Sequence, residues 1–189
     1  MSHQPVKDPK AGYSSLKMQA AIQFFCSAIR NGTLGRTKLA KLFYFLDFDH
    51  YEQYGASVTG ATYAHFPRGP YPRQMMHEVR NLLSSQTLTE TPTVVGSHVQ
   101  YTYAITTLKP ETLGVFTPSE LLVLSHVATI WEKHTAKEMV DAIHGEAPWI
   151  ATADGEDIPY AYAHYRRKFE PVPDSEEEGS PPELISVES

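Results

Sequence analysis

Nine histidines, a single cysteine and the run Asp47-Phe48-Asp49-His50 are the residues of this chain that invite a chemical reading. A metal centre needs ligands that converge. The chain has no His-Glu-x-x-His helix and no cysteine pair, so the common zinc spacings are absent. Asp47 and Asp49 stand two positions apart on an expected helix, where side chains diverge, so their carboxylates should not meet. His50 is expected to close an apolar stripe, and Asp47 to pair with a base or a backbone group. Arg73 and His77, one turn apart, read as a solvated helix surface. No Gly-x-Ser-x-Gly elbow and no phosphate-binding glycine loop occurs. Cys26 lies among apolar residues and reads as core, because buried thiols are inert. The expectation is a protein that is not an enzyme and takes no metal or cofactor. A hydrolase site assembled from residues distant in sequence stays as an alternative.

Charge narrows the partners. The 189-residue chain has a formal charge of −6, and residues 170–189 hold seven acidic groups and no Lys or Arg. The remainder is therefore nearly neutral, which argues against nucleic acid, since displacing counterions takes clustered Lys and Arg. Two small basic groups stand out: Arg36, Lys38 and Lys41, and Arg166, Arg167 and Lys168. One cysteine makes no intrachain disulfide, which fits a reducing cytoplasm. The first residues lack an apolar signal region and no apolar run reaches membrane-spanning length. A soluble, intracellular protein is expected.

These residues must be positioned by helices and a little sheet. A first helix is expected from Ser14 or Ser15 to about Arg30, with Leu16, Ala20, Ala21, Phe24, Phe25, Ala28 and Ile29 spread over much of its surface. The second, capped by Thr37 and ended by Gly55, places Leu39, Leu42, Phe43, Leu46 and His50 on one face. Lys38, Lys41, Phe45 and Phe48 lie on another, which implies a second buried surface or a partner. A strand over Thr59 to Phe66 should lead through "PRGPYP" straight into a third helix near Tyr71 to Arg73. "TLTETPTVVGSHVQYTYAI" reads as a hairpin turning at Gly96-Ser97. Thr117 with Glu120, and Thr135 with Glu138, form capping boxes that open two further helices. "GEAPW" should break the pattern, and Pro159 should start a short last helix. The sum is a compact, mostly helical α+β domain of about five to six helices with a small antiparallel sheet. It is expected to divide into a loose arm (1–13), a folded domain (14–169) and an acidic tail (170–189), whose composition buries too little apolar surface to fold. The first two helices loosely suggest a DNA-reading helix-turn-helix, but the second carries aromatics where bases would be read.

The ordered set of motifs resembles the Panacea domain family, also called SocA-like or phage-associated GepA-like. The resemblance is carried by Lys38, Leu39, Lys41, Leu42 and Tyr44, then Tyr54-Gly55, Thr59-Gly60, and Pro67, Gly69, Pro70 and Pro72. In the second half it continues in His144, Glu146 and Trp149, and in Gly155, Glu156, Ile158, Pro159 and Tyr160. It implies an antitoxin that neutralises a cognate toxin, the product of the adjacent gene, by direct protein binding. In one relative it implies instead a proteolytic adaptor that delivers the toxin to ClpXP. Neither role needs a catalytic residue. A DNA-binding autorepressor is the remaining alternative. Arg68 inside the proline corner and the acidic tail depart from the family pattern. The partner-binding residues are expected to be Lys38, Lys41, Phe45, Phe48, Arg68, Tyr71 and Trp149, because aromatic and Arg anchors dominate interfaces.

Overall fold

The computed structural model of the chain describes residues 12–29 and 34–166. The acidic tail, Arg167 and Lys168, most of the N-terminal arm and the junction after the first helix lie outside the described residues. Six α-helices, two 3₁₀ segments and two small antiparallel sheets make up the described part, and the mostly helical α+β class stands.

One helix organises the rest. Helix α2 (Arg36–Tyr54) is buried over nearly its whole length, including both of its sequence-defined faces. Around it pack α1 (Ser15–Ala28), α4 (Pro118–Trp131), α5 (Ala136–His144) and a 3₁₀ segment at Tyr160–Tyr165. Its N-cap is Gly35 rather than Thr37, with no side-chain cap bond, while Gly55 ends it in the left-handed region at φ 71°, as Gly at this position does. Ser14 caps α1 as expected, accepting from the Lys17 N–H. Leu16, expected among the apolar residues of that buried helix, is 69% exposed. Both capping boxes are present, Thr117 with Glu120 and Thr135 with Glu138.

The proline corner departs from its expected path. The strand over Thr59 to Phe66 shrinks to β1 (Tyr63–Ala64). After the corner the chain returns as β2 (Tyr71–Pro72) and pairs antiparallel with β1 before α3 (Met75–Ser84) begins. Gly69 makes this return with φ 87°, which residues with a Cβ rarely adopt. Arg73 consequently precedes α3. Its guanidinium pairs with Asp157 at 2.8 Å and bonds the Gly155 carbonyl.

The hairpin of β3 (Thr89–Val95) and β4 (His98–Ala104) turns at Gly96 as read, with Val95 opposite His98. Its base is tied to the body by the Tyr103 N–H donating to the Leu34 carbonyl. Tyr103 is buried, but Val94, Val95, Val99 and Tyr101 further out are exposed. "GEAPW", expected to be a break, instead opens a four-residue helix, α6 (Ala147–Ile150). A 3₁₀ segment at Pro110–Val115 is not anticipated from the sequence, and the short last helix opens after Pro159 as expected, as a 3₁₀ segment over Tyr160–Tyr165. No described helix is long and apolar enough to cross a membrane.

Candidate partner-binding site

The acidic residues that looked like a ligand cluster are separate structural anchors. Asp47 accepts from the Thr59 N–H at 2.7 Å, from the Thr59 hydroxyl, and from the Tyr63 hydroxyl at 2.7 Å. Burial pushes its carboxyl pKa up and these donors pull it back, so the carboxylate clips the 55–63 loop to α2. Asp49 points elsewhere and pairs with Arg166 at 2.6 Å. His50 closes the apolar stripe, with Nδ1 2.6 Å from the Ala56 carbonyl oxygen and Nε2 3.2 Å from Ser119 Oγ. Cys26 is buried, and loss of hydration pushes its thiol up to about 12, which disfavours the thiolate. Among the described residues no three His, Cys, Asp or Glu side chains are grouped to hold a metal ion.

Arg166 is the residue whose role the sequence concealed. Instead of forming a surface basic patch, it is buried against Glu146 at 2.8 Å and Asp49, and lies over the rings of Tyr44 and Phe45. The Tyr44 hydroxyl donates to Glu146 at 2.6 Å. Loss of water raises the Glu146 pKa while Arg166 opposes that rise. The network fastens the segment after α6 to α2.

Of the expected partner-binding residues, four face inward. Phe45 stacks on Trp131 at 4.4 Å, and Phe48 packs among Tyr44, Tyr63 and Tyr160. The second face of α2 is therefore a second buried surface. Lys38 is 2% exposed and donates to the Glu132 carbonyl at 2.9 Å. Lys41 is 1% exposed and donates to the Pro70 carbonyl at 2.7 Å. One cause accounts for all four: neighbours enclose α2 on every side, and the lysine stems lie along apolar surface while their ammoniums reach carbonyls. Trp149 is half-buried, held between His65 at 3.4 Å and His144 at 4.4 Å. Burial lowers the pKa of both histidines, which favours neutral rings in this stack. Arg68 is exposed, and Tyr71 is half-buried with its ring 5.9 Å from Phe66.

Arg68 does meet the start of α2, in a cleft of about 610 Å³. Its floor is Gly35 to Lys38. One wall is the hairpin, with Val95, Val99 and Tyr101, and the opposite wall is the first turn of α5, with Lys137 and Val140. A smaller hollow of about 320 Å³ runs on from Arg36 past Arg68 over Lys41, Phe66 and Tyr71. Among the described residues no Asp or Glu lines either space. Acids act on these cations from outside the lining: Glu90 faces Arg36 from β3, Asp141 pairs with Lys137 at 2.6 Å, and Glu132 and Glu138 act on Lys38. The cleft thus offers cationic edges around apolar walls, which suits a protein surface better than a small reactive substrate. Sequence reasoning missed the hairpin wall. The available signal was three exposed-strand valines beside a tyrosine in a segment with little else to pack on.

Residues 39–150 match the family model for the antitoxin SocA-like Panacea domain, which is more than half of the chain. No curated protein and no solved structure matches it.

Proposed function

The chain belongs to the antitoxin SocA-like family defined by the Panacea domain, and from that premise we propose that it neutralises a cognate protein toxin by direct binding. The toxin is the product of the adjacent gene, and both act in the cytoplasm. The observation that carries the site is the cleft between α2, the hairpin and α5. It joins exposed Val95, Val99 and Tyr101 to Arg36 and Arg68. Apolar area with Arg and Tyr at its edge has the composition of an interface hot spot. Masking a toxin takes shape and charge complementarity and no turnover, so the role is not enzymatic.

The deciding experiment is growth after induction of the adjacent open reading frame, with and without this chain. Arrest by the neighbour alone, rescue on co-expression and a co-purified complex support the proposal. A harmless neighbour overturns it. Rescue that requires ClpXP and removes the toxin from the cell assigns the adaptor role. Salt-sensitive binding to the chain's own promoter would mark an autorepressor.

A further inference from the structure

We propose that the acidic segment 170–189 of this same chain docks in the cleft between the α2 N-terminal end, the hairpin and α5, and so covers the apolar wall that a partner would use.

Charge is the first argument. Arg36, Arg68 and Lys137 edge the cleft together with His98, and no acid among the described residues lines it. Glu90 partly offsets Arg36, Asp141 and Glu138 offset Lys137, and Glu132 and Glu138 offset Lys38, which leaves Arg68 as the lining cation with no ion pair among the described residues. The segment carries seven acidic residues, three of them consecutive at Glu176, Glu177 and Glu178, and no Lys or Arg. Apolar matching is the second argument. Leu184, Ile185 and Val187 follow the acidic run, and the cleft wall offers Val95, Val99, Tyr101 and Val140. A ligand for this cleft needs both features, and the segment has both in one stretch.

Reach is the third. Arg166 is fixed by Glu146 and Asp49. From there to Glu176 an extended chain spans about 33 Å at ~3.3 Å per residue. A domain of this size has a radius of gyration near 15 Å, so about 33 Å crosses its surface. Tethering also raises the effective concentration of the segment to the order of millimolar, so a weak contact suffices to hold it. Such a contact yields to a partner that binds more tightly, which makes the segment a competitor at the site proposed above. The docking itself does not depend on the antitoxin reading.

The test is amide hydrogen exchange on the full chain, read at β4 and at the first turn of α2. Wild type is compared with Glu176→Gln/Glu177→Gln/Glu178→Gln at low and high salt. Docking predicts several-fold slower exchange at β4 in wild type at low salt, lost in the triple variant and lost at high salt, with an unchanged melting temperature. Arg68→Glu should remove the same protection, and adding Lys at positions 176–178 to that variant should restore it. Equal exchange in wild type and triple variant overturns the proposal. Protection that grows with protein concentration also overturns it, because the occupant is then a second copy. Failure of toxin rescue, with protection intact, would strike only the proposed function.

Discussion

The Lys41 ammonium nitrogen lies 2.7 Å from the Pro70 carbonyl oxygen, directly beneath Gly69, where a Cβ would sit 3.0 Å from that nitrogen. The proline corner and the central helix are therefore fitted to each other. Gly69 holds φ 87° and leaves room for a buried ammonium, and the ammonium satisfies a carbonyl that the turn withdraws from water. Gly69→Ala should cost about 1–3 kcal/mol through the left-handed backbone and the close contact together. Urea denaturation measures it. A loss no larger than that of a surface substitution would mean the corner relaxes freely.

Lys41 should make stability depend on pH. Burial holds its pKa down at about 7, while in the unfolded chain it keeps an ordinary lysine value. Above pH 7 the unfolded state then binds more protons than the native state. Lys41 therefore adds stability as pH rises, by at most about 1.4 kcal/mol per pH unit. Its penalty is fully present below that pH. Lys41→Met should flatten the stability profile between pH 7 and 8.5, whatever it does to absolute stability. Parallel profiles for variant and wild type would refute the depressed pKa.

Arg166→Ala should be strongly destabilising. It would leave Glu146, whose side chain is 4% exposed, as an uncompensated buried charge beside Tyr44. Breaking a buried pair in this way costs about 3–5 kcal/mol. Adding Glu146→Gln should recover part of the loss, and a double-mutant cycle by chemical denaturation reads the coupling. Strictly additive costs would show that the ion pair contributes nothing.

The Asp47 clip is testable in the same way. Asp47→Ala strips the acceptor from the Thr59 N–H and from the Thr59 hydroxyl, both buried, while the Tyr63 hydroxyl can still donate to the Phe43 carbonyl at 2.8 Å. Each unsatisfied donor costs about 1–3 kcal/mol, so the variant should fold poorly. Well-preserved melting behaviour would mean that water replaces the carboxylate.

Arg68→Ala and Val99→Asp address the cleft. Both side chains are exposed, so stability should change by under about 0.5 kcal/mol. Rescue from the toxin should fall, and isothermal titration should show weaker binding. Tyr71→Ala is less informative alone, because Tyr71 also packs against Phe66 and pairs in β2. Full affinity in both variants would move the interface away from the cleft.

Local hydrogen bonding made part of this protein legible from its sequence. The capping boxes at Thr117 and Thr135, the Gly55 helix end and the Gly96 hairpin turn are each settled within about five residues, so residue type and spacing suffice. The ordered motifs also led to the family, and with it to the antitoxin role. The tertiary structure decided which faces meet water. Two polar-looking positions of α2, Lys38 and Lys41, and two apparent anchors, Phe45 and Phe48, are inside because elements far along the chain enclose that helix. Arg166 looked like a surface cation and is buried because its partners, Glu146 and Asp49, come from α2 and the turn before α6. The cleft is assembled from segments up to about a hundred residues apart, and periodicity within one helix or strand holds no information on such juxtaposition.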